Sequence, residues 1–210
     1  MNNTIATIMN LSPVIPVIVI TDPAVAVPLA TALYQGGLKV LEVTLRTEHG
    51  LGAIKAMQKA LPDAVVGAGT VNTAGDVTAA IEAGAQFLVS PGATETLVDV
   101  ALSADVPFLP GIATPSEAMR LLERGITHMK FFPAEAAGGI PMLKSLYGPL
   151  SQICFCPTGG ITPESAADYL ALPNVACVGG SWMVPQHLID AGDWSAIEAL
   201  ARKSSEYRRA

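Results

Sequence analysis

The chain has 210 residues, 50% of them hydrophobic and 14% charged, with a net charge of −6 and a pI near 5.0. That balance calls for a large buried core and excludes a disordered chain. The acidic excess and the lack of a basic stripe exclude a nucleic-acid binder, and Arg208-Arg209 reads as a solvated tail.

In chain order, short runs rich in Val, Ile, Leu and Phe alternate with Ala-rich segments of helical spacing, the pattern of repeated βα units. Eight strands are predicted, over residues 14–20, 39–45, 64–69, 86–90, 107–110, 128–132, 152–157 and 175–179. Near-continuous apolar strands imply a parallel sheet covered by helices, and eight βα units suit closure into a (β/α)8 TIM barrel, a single α/β domain over residues 1–210. A short helix before residue 14 is expected to plug one barrel end. The alternative is a doubly wound open sheet, but the first strand runs into Ile20-Thr21-Asp22-Pro23 instead of a Gly-x-Gly-x-x-Gly turn.

The longest apolar stretch, residues 13–20, is broken by prolines and falls short of the roughly 20 residues a bilayer span requires. The polar start, Met1-Asn2-Asn3-Thr4, is unlike a signal peptide. A cytoplasmic enzyme with no membrane or nucleic-acid partner is therefore expected. Cys154, Cys156 and Cys177 sit in apolar strand runs and read as buried thiols, with no second Cys pair or nearby His to complete a zinc set. No metal is expected.

In a barrel, reactive groups gather where strands end. Side chains alternate along a strand, so Glu42 and Arg46 share one face with Val40 and Thr44, while Leu41, Val43 and Leu45 face the helices. Both charged residues are then expected inside, where a carboxylate is costly unless paired or used. The same parity turns His128, Lys130 and Phe132 inward on the sixth strand. Lys39, Lys55, Lys59, Lys144 and Lys203 all fall at solvated positions. Burial disfavours an ammonium, so Lys130 could supply the neutral amine that attacks a ketone, with Glu42 as acid/base partner. A purely structural Lys130–Glu42 ion pair fits the same spacing.

Thr158-Gly159-Gly160 and Gly179-Gly180-Ser181 end the seventh and eighth strands, where barrels commonly receive phosphate on backbone N–H groups. His128 lies one inward position below Lys130 and suits a barrel-floor role. His49 and His187 suit a loop and a structural position, and Trp182 and Trp194 suit packing.

Taken in order, these strand ends resemble the bacterial family of 2-keto-3-deoxy-6-phosphogluconate (KDPG) aldolases, which also covers 4-hydroxy-2-oxoglutarate (KHG) cleavage. The resemblance runs from Pro16-Val17-Ile18 through residues 42–47, 66–70, 130–135 and 156–161 to residues 179–182. It implies a class I aldolase without a cofactor, in which Lys130 forms the Schiff base and Glu42 shuttles protons. It further implies that Arg46 and Thr70 hold the substrate carboxylate, Phe132 packs beside the imine, Pro91 lines the pocket and Thr158 meets substrate hydroxyls. Gly159, Gly160, Gly180 and Ser181 would cradle the phosphate. The partners implied are a phosphorylated 2-keto acid, pyruvate and two further copies of the chain in a homotrimer. Relatives acting on the galactonate epimer tend to carry an apolar residue where this chain has Thr158, which favours the gluconate substrate. A phosphosugar isomerase or epimerase using Glu42 as an enolising base, or a non-catalytic phosphometabolite-binding barrel, would need no nucleophilic Lys130.

Overall fold

The computed structural model describes residues 4–207, so Met1-Asn2-Asn3 and the Arg208-Arg209 tail lie outside the described residues. The chain opens with helix α1 (Ile5–Leu11), started by the Thr4 hydroxyl accepting from the Thr7 N–H at 3.2 Å. Strands then alternate with helices: β1 (Val14–Ile18), α2 (Ala26–Gln35), β2 (Val40–Thr44), α3 (Gly50–Ala60), β3 (Val65–Gly69), α4 (Ala74–Glu82), β4 (Leu88–Val89), α5 (Glu95–Ser103) and β5 (Phe108–Leu109). The second half continues with β6 (Gly111–Ile112), α6 (Pro115–Glu123), β7 (His128–Phe131), α7 (Gly139–Tyr147), β8 (Cys154–Pro157), α8 (Pro163–Leu170), β9 (Val178–Gly180), α9 (Gln186–Ala191) and α10 (Trp194–Ser205).

All strand pairs are parallel, as expected for buried apolar strands joined by helices. A six-stranded sheet in the order β5-β4-β3-β2-β1-β9 curls beside a three-stranded sheet, β6-β7-β8. The predicted strand over 107–110 becomes two short strands because Pro110 carries no N–H, although its carbonyl still accepts from the Lys130 N–H at 2.8 Å. The predicted strand over 175–179 is also displaced. Val175 makes only an isolated bridge to Phe155, the continuous strand starts at Val178, and a second bridge joins Thr158 to Gly179.

The sheet has apolar groups on both faces. Leu41, Val43, Met129, Phe131 and Phe155 belong to the large core between sheet and helices. Val40, Val65, Phe87, Leu109 and Cys156 form a second cluster on the inner face, into which α1 inserts Ile8 and Met9, both fully buried. The short N-terminal helix thus plugs the interior, as its position before the first strand suggested. On the outer face, Phe131 and Phe155 meet edge to face at 6.4 Å, worth about 0.5–1.5 kcal/mol beyond their burial. That contact braces β7 against β8, on whose inner faces Lys130 and Cys156 stand in register.

Loop ends at the C-terminal rim are set by threonine caps. Thr73, Thr114 and Thr162 each close a capping box at the start of α4, α6 and α8, a device worth about 1 kcal/mol per helix. Each cap fixes where a strand-end loop must stop, and so the shape of the rim.

Candidate active site

The inner face of β2 presents Glu42, which pairs in register with Val17 on one side and Gly67 on the other. Across the interior, β7 presents Lys130. The Lys130 ammonium nitrogen Nζ donates to Glu42 Oε1 at 3.3 Å, and both side chains are only 5% exposed. Two charges so far from water hold together only when each is paired, and here each satisfies the other. The Phe132 ring adds a second wall, its centroid 5.2 Å from Nζ.

Glycines make this geometry possible. On the inner face of β3, a Cβ at Gly69 would stand 2.2 Å from Glu42 Oε1, the same oxygen that receives Lys130, and 2.6 Å from Glu42 Cγ. A Cβ at Gly67 would stand 2.4 Å from the Phe87 ring. The strand thus gives up two side chains so that a carboxylate and an aromatic ring can lie across it. Residues 66–70 carry part of the family resemblance, but nothing in their sequence indicates that Gly69 houses Glu42. Only the register between β2 and β3 reveals it.

Arg46 departs from the expectation. β2 ends at Thr44, and Arg46 sits beyond it in a turn, exposed at the rim instead of inside. Strand parity stops applying once the strand stops. Its Nε donates to Thr70 Oγ1 at 3.2 Å, so the two residues expected to act together do meet. Thr70 has a φ of +59°, rare for a β-branched residue, which turns its hydroxyl toward Arg46 immediately after β3. Two hydroxyls tie the same rim to β1 and the segment just after it: Thr44 donates to the Ile18 carbonyl at 3.0 Å and Thr47 to the Ile20 carbonyl at 2.5 Å.

The other predicted residues follow around the rim. Pro91 is half-buried, and its carbonyl occupies the space a Cβ at Gly111 would need, at 2.3 Å. Thr158 is buried, donates to the Cys156 carbonyl at 3.5 Å and lies across Gly179, where a Cβ would come within 2.3 Å of its hydroxyl. Gly159 and Gly160 have φ values of +103° and +81°, a backbone that L side chains rarely adopt. Gly180 is buried against the Trp182 ring, whose Nε1 donates to Ser204 Oγ at 3.0 Å, and Ser181 is exposed beside it. Gly180 therefore has a packing reason to be glycine as well as any ligand reason.

Of the three histidines, His128 is half-buried one layer below Lys130, and burial lowers its imidazole below the ordinary value of 6.5. It borders a cleft of about 710 Å³ at the N-terminal end of the sheet, lined also by Thr4, Gln86 and Phe108 and away from Lys130. That is the floor position its parity implied. Cys156 and Cys177 are buried and Cys154 half-buried. Among the described residues no group of three His, Cys, Asp or Glu side chains could hold a metal ion, and no helix is long and apolar enough to cross a membrane.

Comparison with known proteins places the chain in one family. The family model described as KDPG and KHG aldolase covers residues 5–200. The chain is 51% identical to the KHG/KDPG aldolase of Escherichia coli K12 over 199 residues, 95% of this chain and 93% of that protein. Its fold is similar to the crystal structure of the KDPG aldolase from Legionella pneumophila with pyruvate captured at low pH as a covalent carbinolamine intermediate. The TM-score there is 0.96 at 48% identity, over 98% of this chain and 100% of that one. It is also similar to the KDPG aldolase of Zymomonas mobilis ZM4 with 3-phosphoglycerate, with a TM-score of 0.94 at 50% identity over 98% and 97% of the two chains.

Proposed function

Because the chain belongs to the KDPG and KHG aldolase family, we propose that it is a class I aldolase cleaving KDPG to pyruvate and glyceraldehyde 3-phosphate, and KHG to pyruvate and glyoxylate. The observation that carries this reading is the buried contact between Lys130 Nζ and Glu42 Oε1 at 3.3 Å, between the inner faces of β7 and β2 in a parallel α/β fold.

Glu42 is the group in reach to take a proton from Lys130, freeing the amine to attack the C2 carbonyl. Glu42 returns that proton to the carbinolamine hydroxyl, which leaves as water to give an iminium and a Glu42 carboxylate free to act again. When the C4 hydroxyl surrenders its proton to Glu42, directly or through a water, the C3–C4 bond breaks. Its electron pair enters the iminium as an enamine and the aldehyde departs. Protonation at C3 and hydrolysis return Lys130 and release pyruvate. The covalent iminium is the electron sink, so the reaction draws on no metal or other cofactor.

Arg46 and Thr70, already joined at 3.2 Å, would receive the substrate carboxylate at the rim. Phe132 would flank the imine and Pro91 would line the pocket. Thr158, lying across Gly179, would meet substrate hydroxyls, and a polar group there supports the gluconate over the galactonate epimer. The N–H groups of Gly159, Gly160 and Gly180, with the Ser181 hydroxyl, would cradle the phosphate. The bridges from Phe155 to Val175 and from Thr158 to Gly179, and the single proline between β5 and β6, support closure of the two sheets into one eight-stranded barrel in a single domain. A cytoplasmic homotrimer completes the reading, and light scattering on the purified protein tests the trimer.

Pyruvate release from KDPG, KHG and the galactonate epimer, followed by coupled reduction to lactate, tests the reading directly. Faster release from KDPG than from its epimer is expected. No pyruvate from KDPG or KHG would refute it.

A further inference from the structure

Behind the Gly159-Gly160 turn stands a polar pair that the aldol chemistry does not use. Tyr169 on α8 is fully buried, and its hydroxyl donates to Glu135 Oε1 at 2.6 Å. Burial first, and the Glu135 carboxylate beside it second, raise this phenol above its ordinary range, so it remains a donor at neutral pH.

Glu135 supports the turn in two ways. Its N–H donates to the Gly159 carbonyl at 3.1 Å, beside the bond from the Ala134 N–H to the Thr158 carbonyl at 2.8 Å. Its Cγ and Cβ occupy the space beside Gly160, where an added Cβ would meet them at 2.7 and 2.8 Å. Gly139 leaves room for the same pair, since a Cβ there would stand 3.0 Å from the Tyr169 hydroxyl and 3.5 Å from Glu135 Oε2. The loop after β7, the turn after β8 and helix α8 therefore converge on one carboxylate.

We propose that Tyr169 and Glu135 are positioning residues for the substrate phosphate: the Tyr169 hydroxyl pins the Glu135 side chain against the Gly159-Gly160 turn and so sets the direction of the turn's N–H groups. This rests on the reading of that turn as part of the phosphate cradle. Charge makes the pin necessary. A carboxylate loose beside a phosphate would repel it; Glu135 is exposed, and its bond through Oε1 to the buried Tyr169 hydroxyl fixes where that charge lies.

The test is steady-state cleavage of KDPG and of unphosphorylated KHG by the full chain and three variants. Tyr169→Phe keeps the ring and removes only the donor. It is expected to raise KM for KDPG about ten-fold, the cost of a hydrogen bond to a charged group. KM for KHG should stay within about two-fold, since that substrate makes no phosphate contact. Glu135→Ala should also raise KM for KDPG, by less than Tyr169→Phe, since it removes the support of the turn but leaves no loose charge. Glu135→Gln keeps an acceptor for the hydroxyl and should restore KM for KDPG, and this Gln-against-Ala split carries the test alone should Tyr169→Phe fail to fold. An unchanged KM for KDPG in Tyr169→Phe, or parallel rises for both substrates, would overturn the inference while leaving the cradle standing. If the unmodified protein handles KDPG and KHG alike and inorganic phosphate does not compete with KDPG, the cradle itself falls and the inference with it.

Discussion

Replacing Gly69 by alanine should cripple proton transfer without removing any reactive group. The added methyl would stand 2.2 Å from Glu42 Oε1, 2.6 Å from Cγ and 2.8 Å from Cδ, where ordinary contacts lie at 3.4–4 Å. The carboxylate must therefore retreat by roughly 1 Å, and a displacement of that size in a reacting group costs on the order of 100-fold in rate. Because Oε1 is the atom bonded to Lys130, the loss falls on the steps that Glu42 serves. The assay is exchange of the pyruvate methyl protons with deuterium oxide, followed by NMR, in Gly69→Ala, Glu42→Ala and the double variant. Exchange should drop about 100-fold in Gly69→Ala, yet the double variant should be little worse than Glu42→Ala, since the clash has lost its partner. Relative to Glu42→Ala, the double variant should lose little further thermal stability. Costs that multiply instead, or an exchange rate in Gly69→Ala close to that of the unmodified chain, would refute the reasoning.

Three further perturbations probe other parts of the site. Lys130→Met removes the nucleophile and leaves a Glu42 side chain only 5% exposed without its cation; pyruvate release should vanish, and urea unfolding should show a loss of about 3–5 kcal/mol. Retained turnover would remove Lys130 from the chemistry. Ser181→Ala should raise KM for KDPG more than for KHG, and equal changes would count against a phosphate contact. For His128, burial holds the native imidazole below its ordinary 6.5, so on acidification the unfolded chain takes up its proton first. The stability contributed by the neutral ring is present above pH 6.5 and is lost as pH falls below that value. Urea unfolding at a series of pH values should therefore show a shallower acid loss in His128→Asn, and identical slopes would dismiss the residue as the source.

The parts of the fold legible in the sequence were those governed by local periodicity. Alternation along β2 and β7 placed Glu42 and Lys130 on the inner face and Val43 and Phe131 on the helix side, as found. Local pattern could not say where a strand's hydrogen bonding gives out. Arg46 was carried inward by a parity that ends at Thr44, and Pro110 divided a strand whose apolar run looked continuous. Relations between strands were harder still. That Gly69 houses Glu42, and Gly179 houses Thr158, depends on register, which no single strand encodes. Glu135 was visible within the Lys130 motif, but its partner Tyr169 is 34 residues away on α8, and nothing in the spacing joins them.

The central claim, a covalent intermediate on Lys130, is tested most directly by incubating the protein with pyruvate and borohydride and locating the product by peptide mass spectrometry. The account predicts one stable reduced adduct, confined to the peptide that carries Lys130. A folded protein, saturated with pyruvate under reducing conditions, that gave no adduct or carried it on another lysine would contradict it.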